Sequence, residues 1–449
     1  MLITLITAVI INIEKSRNLV VDTNNDITLD NGDSKIDWSK YQTIDVKLSE
    51  SFTISQSGTY RLTGVLSDGL ITVEAGVNNV RLLLDNASLN NSNGPAISCL
   101  SAKNLVIELV GENYVSDGLT YDSSFDIDIN GAIYSKADLV FQGDGSLQLN
   151  ANYQDGIVGK DDVKFNGGHY NIEAADDGIR GKDSIYVVNG YFTINSVADG
   201  ITSTNSVDKD KGFILIEGGD FYINAGDDGI RANHELRINN GNINIAQSYE
   251  GLEAQVIAIN GGEISINSSD DGINAGNKSS DDKVDTSCAL SINGGNIYIN
   301  SSGDGVDSNG YIYFNGGTTI IDGPTSNDNG ALDSGAGITM DGGTVIAVGS
   351  NGMAETLDDN STVYNISVFF PRQLNANTRI DIKSSDGELV LSHTSAKPFS
   401  YLAAGNSNFS LGGSYILYLD GQEYQGFVIS STTTTIGNNH NIFNNGFRR

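Results

Sequence analysis

An acid-glycine-aliphatic triplet returns along this chain at a nearly fixed interval, and few folds tolerate such a rhythm. It stands at Asp155-Gly156-Ile157, Asp177-Gly178-Ile179, Asp199-Gly200-Ile201, Asp228-Gly229-Ile230, Glu250-Gly251-Leu252, Asp271-Gly272-Ile273 and Asp304-Gly305-Val306. Successive acids lie 22, 22, 29, 22, 21 and 33 residues apart, so the unit is 21 or 22 residues and two units carry insertions. A period of this size is the mark of a repeat architecture, in which each unit buries its apolar face only against its neighbours. Between the triplets runs a glycine corner, as at Asn166-Gly167-Gly168, Asn240-Gly241, Asn260-Gly261-Gly262 and Asn293-Gly294-Gly295. Asn-Gly accepts the positive φ that a sharp corner demands. On either side apolar residues alternate with period two, for example Leu236/Ile238 before a corner and Ile243/Ile245 after it, which is strand geometry.

Three short strands and three corners per unit predict an all-β chain, a single-stranded right-handed parallel β-helix, the hand following from the general chirality of parallel connections. The period vanishes after Gly352. Alternation around Asp386-Gly387 and Asp420-Gly421 then reads as two hairpins, a small C-terminal antiparallel β module closing the end of the coil. The predicted boundaries are 1–40 for a leader, 41–90 for an N-terminal cap and first rungs, 91–349 for the β-helix, 350–436 for the C-terminal module and 437–449 for a loose tail. The apolar run 2–11 is too short to span a bilayer and reads as a degenerate export segment or a strand. With 53 Gly but only 4 Pro, the glycine serves regular turns rather than a disordered linker.

The net charge of −31 repels nucleic acid and anionic membranes and attracts cations. Stacking puts the triplet acids in a file about 4.8 Å apart, where neighbouring carboxylates repel by roughly 3 kcal/mol per pair at an effective dielectric near 20. Asp176-Asp177, Asp227-Asp228 and Asp270-Asp271 double the charge, and the insertions add Asp208, Asp210, Asp281, Asp282 and Asp285. Calcium, which takes six to eight oxygens in a flexible shell, is therefore the expected cofactor. Its candidate ligands are Asp155, Asp176, Asp177, Asp199, Asp208, Asp227, Asp228, Asp270 and Asp271. The competing reading treats each Asp-Gly as a solvated corner dipeptide. His169, His234, His393 and His440 form no cluster in the sequence, and Cys99 and Cys288 lack any metal-type spacing, which removes zinc and copper.

Basic residues lie beside the acids. Lys160, Arg180, Lys182 and Arg231 would either hold uronate carboxylates or pair with acids of neighbouring rungs. Alternation aims Tyr191, Tyr222, Tyr298, Tyr311 and Tyr313 outward, where tyrosine faces can stack on sugar rings; Tyr222 and Tyr298 are taken as candidate contacts. GxSxG, P-loop and HExxH motifs are absent. A uronate lyase would need a base, and Lys160 or Lys182 could serve.

The run Asn130 to Leu139, the pair DGIVGKDD (155–162) and DDGIRGKD (176–183), and NGALDSG (329–335) followed by GGTVIAVGSNGMAE (342–355) resemble the bacterial carbohydrate-binding domain-containing β-helix family. The resemblance covers about 49–436. It implies an extracellular protein, calcium-bearing and similar in shape to pectate lyases, that binds cellulose and polygalacturonate without established catalysis. The expectation is thus a monomeric, non-catalytic, calcium-dependent binder of plant cell-wall-type polysaccharide at the cell surface or outside it, with no nucleic-acid partner and no membrane span. A pectate-type lyase, and a structural or adhesive coil, are the alternatives.

Overall fold

The computed structural model describes residues 36–276 and 284–437. The run 2–11, Asp281, Asp282 and His440 lie outside the described residues. No described helix is long and apolar enough to cross a membrane.

Period-two alternation builds strands. Asn242–Ser248, Glu263–Ser268 and Asn296–Ser301 each bury isoleucines and turn polar residues outward. They stack in parallel with Ile243 against Ile264 and Ile264 against Ile297. The triplet aliphatics Ile157, Ile179, Ile201, Ile230, Leu252, Ile273 and Val306 form a second register line, all essentially inaccessible to water. Each such side chain contributes about 1.5–3 kcal/mol of hydrophobic burial. The triplet glycine is dictated by space: a Cβ on Gly178 would stand 2.5 Å from both the Gly200 carbonyl oxygen and Ile194 Cγ2. Its N–H donates to the Asp199 carbonyl at 2.9 Å, so the corner backbone is bonded to the next repeat.

The strand pairing corrects the predicted architecture. Several glycine corners are not breaks. Asp162–Ala174 and Ser184–Ser196 run straight through them, the former with register shifts at Asn166, and Asn79–Asn90 runs on through Asn86 at a φ of 51°. Each therefore pairs with separate partners along its two halves. Asn79–Asn90 bonds to Asn104–Val110 and Glu112–Ser116; these bond to Asp138–Gly143 and Ser146–Ala151; both of the latter bond to Asp162–Ala174. The circuit closes as a barrel of six parallel strands within a 24-stranded sheet, whose other strands are bonded outside it, beside a separate 12-stranded parallel sheet. This replaces the single right-handed β-helix. A bulge and a break carry the same Asn-Gly signature, which is why the pattern alone suggested three discrete strands per turn.

After Thr344–Gly349 the pairing turns antiparallel, first with Phe399–Asn406. A four-stranded antiparallel sheet follows, built from Arg379–Ser384, Leu389–Thr394, Ser414–Leu419 and Gln422–Val428. Asp420 and Gly421, at φ of 51° and 76°, make one of its turns. His393 on this sheet meets the buried Asp322 Oδ1 at 2.9 Å, a link back to the parallel strands. Cys99 and Cys288 are both free and buried.

Candidate functional site

The triplet acids form a ladder. Asp155 Oδ1 accepts from Asp177 N, Asp177 Oδ1 from Asp199 N, and Asp199 Oδ1 from Asp228 N, each at 3.1 Å. Further along, Asp304 N donates to Asp271 Oδ1 at 2.6 Å. An aspartate is just long enough to reach the backbone of the next repeat, so one oxygen of each of these carboxylates is spent on the fold. Its second oxygen is left for whatever lies alongside.

What lies alongside is a column of middle residues from the short triplet strands, each in register with the next: Tyr134, Val158, Arg180, Thr202, Arg231, Glu253, Asn274, Asp307, Asp333. Its character reverses between Arg231 and Glu253. On the N-terminal side, Arg180 pairs with Asp155. Arg231 reaches Asp199 Oδ2 at 3.6 Å, Asp228 Oδ2 at 3.5 Å and Glu253. On the C-terminal side Glu250, Glu253, Asp270, Asp271, Asp304, Asp307, Asp328 and Asp333 line an open cleft of about 720 Å³ with Asn274, and among the described residues no basic side chain lines it.

The electrostatic consequence is large. Burial pushes Asp304 up to about 8, and the neighbouring Asp271 and Asp333 charges add to it. Burial likewise carries Asp307 to about 8, with Asp333 next in weight, and Glu250 to about 8, with Glu253 next. Asp271 rises to about 6 through burial. On the arginine side burial still raises Asp155, to about 6, but Arg180 opposes it. Asp177 reaches about 7 through burial and the Asp155 and Asp199 charges.

Carboxylate oxygens of Asp304, Asp307 and Asp333 lie within 4.8 Å of one another, as do those of Asp155, Asp176 and Asp177, of Asp199, Asp227 and Asp228, and of Asp228, Glu250 and Glu253. The donors around the cleft are oxygens, with no His or Cys lining it among the described residues. That chemistry suits a hard cation such as calcium and not zinc or copper.

The structure thus brings most of the sequence-predicted acids into one edge. Asp270 and Asp271 line the cleft, and the other candidates stand in the file, except Asp208. That residue sits exposed in its insertion, its carboxylate accepting from Asp210 N at 3.1 Å. The basic candidates divide: Arg180 and Arg231 are held in ion pairs, Lys160 is half-buried with its Nζ 5.9 Å from the Tyr134 ring centroid, and Lys182 is exposed. Burial and the neighbouring Arg180 push the Lys160 ammonium down. Tyr222 and Tyr298 stand on a different sheet from the triplet strands, three register positions apart with Asn244 and Ser265 between them, and the Tyr298 hydroxyl donates to Asp322 at 2.9 Å. Sequence reasoning missed Glu250, Glu253, Asn274, Asp304, Asp307 and Asp333 as site residues. The available signal was the residue after the aliphatic of the triplet, which changes from Arg in DGIR to Glu in EGLE and Asp in DGVD.

Comparison with known proteins bears on this edge directly. A family model described as carbohydrate-binding domain-containing protein matches residues 49–305, more than half of the 449. The chain belongs to that family. A protein of the same description from Acetivibrio thermocellus is 39% identical over 230 residues, covering 50% of this chain and 79% of the relative. A solved structure, described as that of the polysaccharide lyase-like protein from C. thermocellum in a gadolinium derivative, is 27% identical with a TM-score of 0.43, covering 49% of this chain and 92% of that one. The family match ends at residue 305, inside the acidic cleft, so Asp307 and Asp333 fall beyond it.

Proposed function

We propose that this protein binds an acidic polysaccharide of the polygalacturonate class outside the cell, in a calcium-dependent manner and without cleaving it. The observation that carries the reading is the cleft of a carbohydrate-binding family member, lined by eight acids and, among the described residues, by no basic side chain. Asp271, Asp304, Asp307 and Asp333 would hold the ion. Calcium would supply the positive charge that lets a uronate carboxylate approach so acidic an edge. Side chains of Asn274 and Asn309 offer the cleft uncharged polar contacts for sugar hydroxyls.

The test is retention on polygalacturonate in calcium and in chelator, scored together with release of unsaturated ends. Retention in calcium, lost by at least tenfold in chelator and in Asp307→Asn, is expected, with no unsaturated ends. Equal retention in chelator would remove calcium from the account. A lyase is the second reading, favoured by the depressed Lys160 ammonium beside Arg180; unsaturated ends that vanish in Lys160→Ala would establish it. Cellulose is the neutral control: retention there, lost on Tyr222→Ala, would move binding to the other sheet.

A further inference from the structure

The file of acids is continuous, yet its two ends are neutralised by different means. Arg231, on the strand Ile230–Ala232, sits where three carboxylates converge from three successive repeats: Asp199, Asp228 and Glu253. Burial works against its charge, but the three acids outweigh burial and hold the guanidinium above its usual range. Asp228, Glu250 and Glu253 bring oxygens within 4.8 Å of one another, so the guanidinium is seated on a donor cluster of the kind a divalent ion would use. One register line separates Arg231 from Arg180, which pairs with a single carboxylate, that of Asp155. The carboxylate-to-backbone bonds of the ladder stop after Asp199, resume at Asp271, and leave out Asp228 and then Glu250. Asn274 Nδ2 instead donates to both Glu250 oxygens at 3.2 Å. The ladder is thus interrupted across the two repeats, those of Arg231 and Glu253, between which the column turns from basic to acidic.

We propose that Arg180 and Arg231 are built-in cations that exclude divalent ions from the N-terminal part of the acid file, and that Arg231 sets the point beyond which an external ion is required. This rests on the reading that the cleft binds calcium, and it adds where along the file ions sit and which residue decides it. An arginine fixed at three carboxylates excludes a metal twice, by filling the space and by like-charge repulsion.

Counting bound calcium by native mass spectrometry tests it. Arg231→Gln should carry one more ion than the unaltered chain, and it should melt lower in chelator but regain most of that loss in calcium. Arg231→Lys keeps the charge and should keep the unaltered count. Asp177→Asn, which retains an acceptor oxygen for the ladder, should leave the count unchanged, whereas Asp307→Asn should lower it. An unaltered count in Arg231→Gln, or a lowered count in Asp177→Asn, overturns the proposal while leaving calcium binding intact. No ion on the unaltered chain overturns the underlying reading instead. Should Arg231→Gln fail to fold in both conditions, Asp177→Asn alone decides.

Discussion

From Asp155 to Asp228 and from Glu250 to Asp333 the chain repeats the same local plan: acid, glycine, aliphatic, then one outward residue. Glycine contacts and the parallel register are alike in both stretches. The outward residue differs, Arg180 and Arg231 in the first stretch against Glu253, Asp307 and Asp333 in the second. In the first, compensation is covalently attached and keeps its charge at any physiological pH. In the second, charge must be met by protons or by an ion from solution. A repeat can thus hold its packing constant while one position per unit decides whether the edge is self-sufficient or open to a partner.

If packing is common to both stretches, the largest effect should be indifferent to the contrast. A Cβ on Gly178 or on Gly272 would meet backbone oxygen at 2.5 and 2.4 Å and an isoleucine methyl at 2.5 and 2.3 Å. Gly178→Ala and Gly272→Ala should each lose about 3 kcal/mol, measured by urea unfolding with calcium present. A loss confined to one of them would show that the two stretches are not mechanically equivalent.

Next in size is the response to pH and chelation, which should be led by the second stretch. Asp304, Asp307 and Glu250 are each raised to about 8, against about 4 in an unfolded chain. A raised folded pKa means the folded state holds the proton more tightly. Its stabilising contribution is therefore complete below about pH 4 and is lost as pH climbs through 8. In chelator the melting temperature should fall between pH 6 and 9, with Asp155 and Asp271, at about 6, contributing at the lower end. Calcium at a hundredfold excess over its Kd should restore about 2.7 kcal/mol, roughly 3 °C for a chain of this length. Arg180→Gln should deepen the part of the fall that Asp155 contributes, because Arg180 opposes the rise of that carboxyl. A melting temperature independent of pH in chelator would break the contrast.

Much of this was legible before any coordinates. The triplet spacing placed Ile157 through Val306 in one buried line and the acids in one file, because a register of 21 or 22 residues is all that either needs. The closed ring was not legible. Whether Asn166-Gly167-Gly168 interrupts a strand or bulges within it depends on pairing with Asn189 across the sheet, which no local pattern encodes. The acidic column was missed for a related reason. Glu253 and Asp307 follow the triplet and Asp333 follows Leu332 outside it, and the three become a site only when register aligns them. For Arg180 and Arg231 the sequence left two readings open, and the structure seats both in ion pairs.

The smallest expected effect concerns the lysines that remain beside the first stretch. Lys182 is exposed and Lys160 is half-buried against Tyr134, so neither lies in the acidic cleft. An exposed cation near a polyuronate contributes about 0.2–1 kcal/mol, so Lys182→Ala should weaken retention on polygalacturonate by no more than about fivefold. It should leave the calcium count unchanged. Raising salt should erase the difference between variant and parent, because the interaction is a screened surface one. A loss of retention in Lys182→Ala as deep as that in Asp307→Asn would place the polymer along the arginine side. The cleft would then be an ion-dependent brace for the fold, and the two stretches would exchange roles.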